Sequence, residues 1–131
     1  MNCNVMITAD GDKVYWVTKS EFEAHFDQHD FVENRDVRQV SKYYLEDWFC
    51  DVDGAIHFLV PTVQFVNGYT QFINGRHRTA VIYSVTDRAP IAFPKGASQE
   101  FANSVGFLEL EIDERIELPD FPIKSQAAGH I

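Results

Sequence analysis

The sequence predicts a single α/β domain, more closely α+β, in which a small mixed sheet carries a β-hairpin that runs straight into a helix. Three observations predict it. Residues 62–73 form two β-prone runs around Asn67-Gly68. Apolar residues recur at helical spacing in segments before and after those runs. The remaining β-prone pieces are short and bounded by Gly, Pro or Asp turn signals. A chain of 131 residues suits one domain with its own core, and with 45% apolar and 14% aromatic residues that core should be rich in phenylalanine. Residues 1–124 are expected to form the domain and 125–131 a frayed C-terminal tail.

Residues 5–7 and 14–17 read as strands split by Asp10-Gly11-Asp12. Thr18 or Ser20 then caps a helix to about His29, with Ser20-Glu21-Phe22-Glu23 as a capping box and Phe22 and Phe26 facing the core. Val37, Val40, Tyr44 and Trp48 follow one helical stripe, which predicts a second helix over 36–49, closed by Asp51-Val52-Asp53-Gly54. A short strand over 57–60 is cut by Pro61. In the hairpin, Asn-Gly supplies the positive φ angles of a two-residue type I′ turn. That register pairs Val63 with Phe72 and Phe65 with Thr70 on the inward face, and Gln64 with Gln71 on the other.

The helix after Asn74-Gly75 should pack through Ala80, Val81, Ser84 and Val85. Pro90-Ile91-Ala92-Phe93 reads as a strand, and residues 98–105 as a helix capped by Ser98 with Phe101 and Val105 buried. Leu108-Glu109-Leu110-Glu111-Ile112 alternates as a half-exposed strand does, and Pro119 and Pro122 mark an extended exit.

The net charge of −9 disfavours non-specific binding to nucleic acid, because phosphate affinity needs local positive potential. Any anion site must be a basic cluster in a negative molecule. No apolar run approaches the roughly 20 residues of a membrane span, and the N-terminus lacks the pattern of a signal peptide. Cys3 and Cys50 lie far apart without a C-x-x-C pair and are expected as reduced thiols in a cytoplasmic protein.

One such cluster exists. Asn74-Gly75-Arg76-His77-Arg78-Thr79-Ala80 places a glycine and three basic residues where a strand turns into a helix. Gly75 permits a sharp turn and a close approach to a ligand. The first helical amides lack backbone partners and carry the positive end of the helix dipole. Arg76 and Arg78 can make forked, charge-assisted bonds to phosphate, Thr79 can donate from the helix start, and His77 can move a proton near neutral pH. The plain alternative is an exposed basic turn. Two arginines at a helix N-terminus oppose the dipole at a cost of about 0.3–1 kcal/mol, which stability alone does not explain.

The run Phe72-Ile73-Asn74-Gly75-Arg76-His77-Arg78-Thr79-Ala80 resembles the signature of the ParB/sulfiredoxin superfamily, in which this loop grips nucleotide phosphates. The resemblance implies a ParB/sulfiredoxin-like domain. The sulfiredoxin cysteine would fall at Arg76, so sulfinic-acid reductase activity is not expected. The chain is also too short for the DNA-binding and dimerisation parts of ParB partition proteins. A nearer likeness is to small plasmid fertility inhibition factors of the Osa type. It lies in 72–80, Pro90-Ile91-Ala92-Phe93, Leu118-Pro119-Asp120-Phe121-Pro122-Ile123 and the helix around 40–48. That likeness implies binding of a nucleotide such as ATP or CTP, Mg²⁺ as its companion ion, and weak NTPase or DNase activity. It further implies interference with conjugation through DNA or a type IV secretion protein.

Arg38 and Lys42, four apart on the second helix, share a face and in such a fold would border the ligand cleft. A solvated basic face beside Glu46 is the simpler reading of them. His25 and His29 have a metal-compatible spacing without further ligands, so they read as core-edge or surface residues. Glu109, Glu111, Asp113, Glu114 and Glu117 offer carboxylates for Mg²⁺ but read first as a solvated face. No P-loop, G-x-S-x-G or H-E-x-x-H motif occurs. Two functions remain in view: a nucleotide-binding domain, and a non-enzymatic acidic protein that blocks a basic partner.

Overall fold

Asp10-Gly11-Asp12 turns the chain between its first two strands, with Gly11 at φ +87° and the Asp12 amide donating to Ala9 O at 3.3 Å. These strands, β1 (Asn2–Met6) and β2 (Lys13–Thr18), enter different sheets of a computed structural model that describes residues 2–6, 9–26, 48–52, 54–111 and 114–118. The described chain is mixed α+β, with two mixed sheets joined in one hydrophobic core.

The four-stranded sheet has the order β3 (Phe49–Val52), β4 (Ala55–Leu59), β1, β9 (Ile116–Glu117). Its β1–β4 pair is parallel and the other pairs are antiparallel. The five-stranded sheet has the order β6 (Tyr69–Asn74), β5 (Thr62–Val66), β7 (Arg88–Phe93), β2, β8 (Leu108–Glu109). There β5 runs parallel to β7, and the remaining neighbours are antiparallel. β7 is central and buried from Ala89 to Phe93, consistent with its unbroken apolar run.

Helix α1 (Lys19–His25) starts at Thr18, not Ser20. The Glu21 amide donates to Thr18 Oγ1 at 3.1 Å, and the Thr18 amide donates to Glu21 Oε1 at 2.9 Å. The helix stops at Phe26, short of the expected His29, where Phe26 bridges to Thr70. Phe22 then meets Phe26, Phe72 and Tyr83 with ring centroids 4.8, 6.2 and 5.2 Å apart, tying α1 to the hairpin and to the helix that follows it.

Residues 36–47 of the helix predicted over 36–49 lie outside the described residues, as do Arg38, Lys42 and the tail at 125–131. Its expected end is corrected: Phe49 belongs to β3, pairs with Phe58 and is fully buried. The turn signal at Gly54 closes a hairpin between β3 and β4 instead of a helix.

The β5–β6 hairpin has the predicted register, with Val63 opposite Phe72, Gln64 opposite Gln71 and Phe65 opposite Thr70. Asn67 and Gly68 take φ +54° and +84°, as a type I′ turn requires. The register shifts at the far end, where Thr62 pairs with Asn74, so Ile73 is an extra, bulged residue of β6.

Helix α2 (Arg76–Val85) is enclosed through its middle. Thr79, Ala80, Val81, Ile82 and Tyr83 are all buried, and Tyr83 donates to Val17 O at 2.8 Å. The expected face at Ser84 and Val85 is exposed instead, because the helix seats through Tyr83. In α3 (Ala97–Val105) the cap is Gly96. Ser98 is buried and accepts from the Phe65 amide at 3.0 Å, 33 residues away. Phe101 and Val105 are only partly buried against the core, while Phe101 stacks on Phe65 with centroids 4.5 Å apart. Among the described residues of the alternating strand, Leu108–Glu109 forms β8, with Leu108 64% exposed and Leu110 buried.

Candidate functional site

The turn at 74–79 is built by the hairpin below it and by Pro61 beside it. The bulge at Ile73 presents both Ile73 and Asn74 to solvent. Asn74 Oδ1 accepts from the Thr62 amide and from Arg78 Nη2, each at 3.3 Å. One side-chain oxygen thus ties the end of β6 to the start of β5 and to the first turn of α2.

Gly75 is the N-cap of α2, at φ +88° and ψ +14°, and no side chain caps the helix there. The close approach predicted at this glycine is made by the chain itself. A Cβ at residue 75 would lie 2.6 Å from Pro61 Cβ, 2.7 Å from Pro61 Cα and 2.9 Å from Arg78 Nη2. Both the left-handed backbone and the absence of space therefore require glycine.

Thr79 is fully buried. Its hydroxyl donates to Gly75 O at 2.9 Å and its amide donates to the same oxygen at 3.0 Å. The Thr79 hydroxyl is consequently engaged in closing the first turn, not turned outward as the sequence suggested. Its amide makes the first bond of the helix, so the amides of residues 76–78 face the N-terminal end without intrahelical acceptors.

Arg76 is exposed at the start of α2, and His77 occupies the next position of the same turn. Arg78 is half-buried, and its guanidinium lies over Gly75. Its Nε is out of contact with solvent and has no hydrogen-bond partner. Among the described residues no carboxylate pairs with it, and burial pulls its pKa down from the ordinary arginine value. Next to it, Thr62 is buried with its own Oγ1 unpartnered. Among the described residues, an uncapped helix start and a cation without a carboxylate partner thus share one turn, and Asn74 links them to Thr62, whose buried hydroxyl is unpaired. That combination suits an anion, which would supply an acceptor and a negative charge that the described residues do not bring to Arg78.

Pro61 and Thr62 escaped the sequence reading. Pro61 carried a signal only as a strand breaker, and nothing local showed that it would press against Gly75. The other expected candidates lie elsewhere. His25 is half-buried between Phe101 and Phe107 at 5.6 and 5.9 Å, as a core-edge histidine. Glu109 and Glu111 are exposed, and Glu109 stands 3.9 Å from Lys13. Among the described residues no group of three or more His, Cys, Asp or Glu side chains is placed to hold a metal ion, and no helix is long and apolar enough to cross a membrane. Cys3 and Cys50 are buried and form no disulfide. Compared with protein-family models, with curated proteins and with solved structures, the chain matches none.

Proposed function

We propose that the β6–α2 turn binds the phosphates of a nucleotide, ATP or CTP, within a ParB/sulfiredoxin-like domain. The observation that carries this reading is Arg78, a partly buried guanidinium at an uncapped helix start with no carboxylate partner among the described residues. Arg76 adds a second cation in the same turn, and Asn74 holds Arg78 in place. The order of hairpin, glycine turn and helix supports the resemblance to that superfamily without depending on it.

In this reading Mg²⁺ arrives with the nucleotide, since it is held largely by phosphate oxygens and water. His77 is the residue assigned to proton transfer in a weak NTPase or DNase activity. The biological setting implied is plasmid fertility inhibition, with DNA or a type IV secretion protein as the further partner. The net charge of −9 favours a second reading, a non-enzymatic protein that covers a basic partner.

Calorimetric titration with ATP, CTP and GTP, with and without Mg²⁺, tests the first reading. Binding that disappears in Arg76→Ala/Arg78→Ala, with the fold intact, supports it. Absence of binding to all three sinks it and directs attention to basic protein partners.

A further inference from the structure

A cavity of about 330 Å³ opens where β1 of one sheet meets the start of β2 in the other, and none of its lining residues belongs to the β6–α2 turn. Its apolar surface comes from Val5, Val14 and Leu110, and Asp12, Glu109 and Glu111 bring three carboxylates to it. Among the described lining residues Lys13 is the single cation, and it stands 3.9 Å from Glu109, both side chains about half-exposed. The described lining is therefore net negative, with Asp12 and Glu111 left over once that pair is set aside.

Asp12 is the unusual member. Its Oδ2 is shielded from solvent and accepts no hydrogen bond. Burial raises the pKa of this carboxyl above its ordinary value. An ionised oxygen in that state is costly unless a donor reaches it. Asp12 lines the cavity and the terminal torsion of an aspartate is soft, so a donor bound there can meet its carboxyl. The rest of the wall is held in place. The Asp12 amide donates to Ala9 O at 3.3 Å, the Leu110 amide to Val14 O at 2.8 Å and the Glu111 amide to Glu114 Oε1 at 3.0 Å.

The carboxylates do not form a metal site, for no three acidic, histidine or cysteine side chains among the described residues are close enough to share an ion. An apolar floor beneath separated carboxylates fits an ion that has its own hydrocarbon. We propose that this cavity binds a small organic cation, an ammonium or guanidinium on a short aliphatic stem. The head group donates to Asp12 and Glu111, and the stem lies on Val5, Val14 and Leu110.

The test is a titration of the isotope-labelled full chain with agmatine, followed by NMR. The expected result is a saturable shift of the Val5, Val14 and Leu110 methyl signals. Asp12→Asn, nearly isosteric, should weaken binding by about tenfold or more. Glu111→Gln should weaken it less, and Arg76→Ala/Arg78→Ala should leave it unchanged. The neutral analogue n-pentanol should bind far more weakly than agmatine. Four results would each overturn the proposal: no saturable shift up to about 10 mM, equal affinity in Asp12→Asn, equal affinity for n-pentanol, or binding of an oligoarginine peptide at this cavity without binding of agmatine.

Discussion

The Thr79 hydroxyl and the Thr79 amide both donate to Gly75 O, at 2.9 and 3.0 Å, so one residue closes the first turn of α2 twice. The side chain is fully buried in doing so. Thr79→Val keeps the shape and removes one hydrogen bond. It should cost about 1 kcal/mol of stability by urea denaturation, with Thr79→Ser recovering much of the loss. Phosphate affinity of the folded protein should change little, because the hydroxyl faces the turn's own carbonyl. A large, selective loss of affinity in Thr79→Val would show that Thr79 reaches the ligand.

Gly68 and Gly75 have nearly the same φ, +84° and +88°, but not the same surroundings. A Cβ at Gly68 meets nothing within 4 Å, whereas one at Gly75 meets Pro61 Cα at 2.7 Å. Gly68→Ala should therefore cost only the conformational penalty, about 1–2 kcal/mol. Gly75→Ala should add displacement of the Pro61 backbone and cost about 3 kcal/mol or more. Equal denaturation midpoints for the two variants would contradict the packing described for Pro61.

Arg78→Met separates function from stability. Methionine keeps an unbranched stem while removing a desolvated charge whose Nε has no partner. The variant should be as stable as the wild type or more so, and should bind nucleotide at least about tenfold more weakly. A clear loss of stability would make Arg78 a structural residue.

Burial pushes the Cys3 thiol from the ordinary 9.0 up to about 11, with Glu117 adding to the rise and Arg115 opposing it. In the folded protein the thiol should resist alkylation at neutral pH and react on unfolding. The unfolded thiol ionises first as pH rises, so this contribution to stability is complete below pH 9.0 and is lost as pH climbs towards about 11. Comparison with Cys3→Ala isolates it: the wild type should lose stability more steeply across that interval.

Local chemistry explains what could be read in advance. Asn67-Gly68 sets a two-residue turn, and that alone determines every pair from Val63–Phe72 to Val66–Tyr69. The glycine-to-helix transition at 75 was equally visible, because the residues that make it are adjacent. Misreadings arose where distant contacts decided. Thr18 and Ser20 each have a glutamate three residues on, and Thr18 prevails because β2 extends to it and the Lys19 amide donates to Asp87 O at 2.7 Å. The helical stripe ending at Trp48 carried the expected helix to Phe49, which instead pairs with Phe58 in a hairpin. Ser98 has the look of a cap, yet its hydroxyl serves the amide of Phe65. Within the site, the partners of Gly75 and Asn74 at Pro61 and Thr62 come from the opposite strand end, beyond any local pattern.

Ile73 faces solvent with 53% of its surface and has no residue of β5 to itself. Its side chain is thus almost without duties, while its backbone bends the strand into the turn. Position 73 is specified by count and not by chemistry. Replacing it with threonine or serine should shift stability by no more than about 0.5 kcal/mol, whereas deleting it would straighten the ladder and carry Gly75 away from Pro61. Among sequences sharing this site, the residue at 73 should vary freely and the spacing from Asn67-Gly68 to Asn74-Gly75 should not.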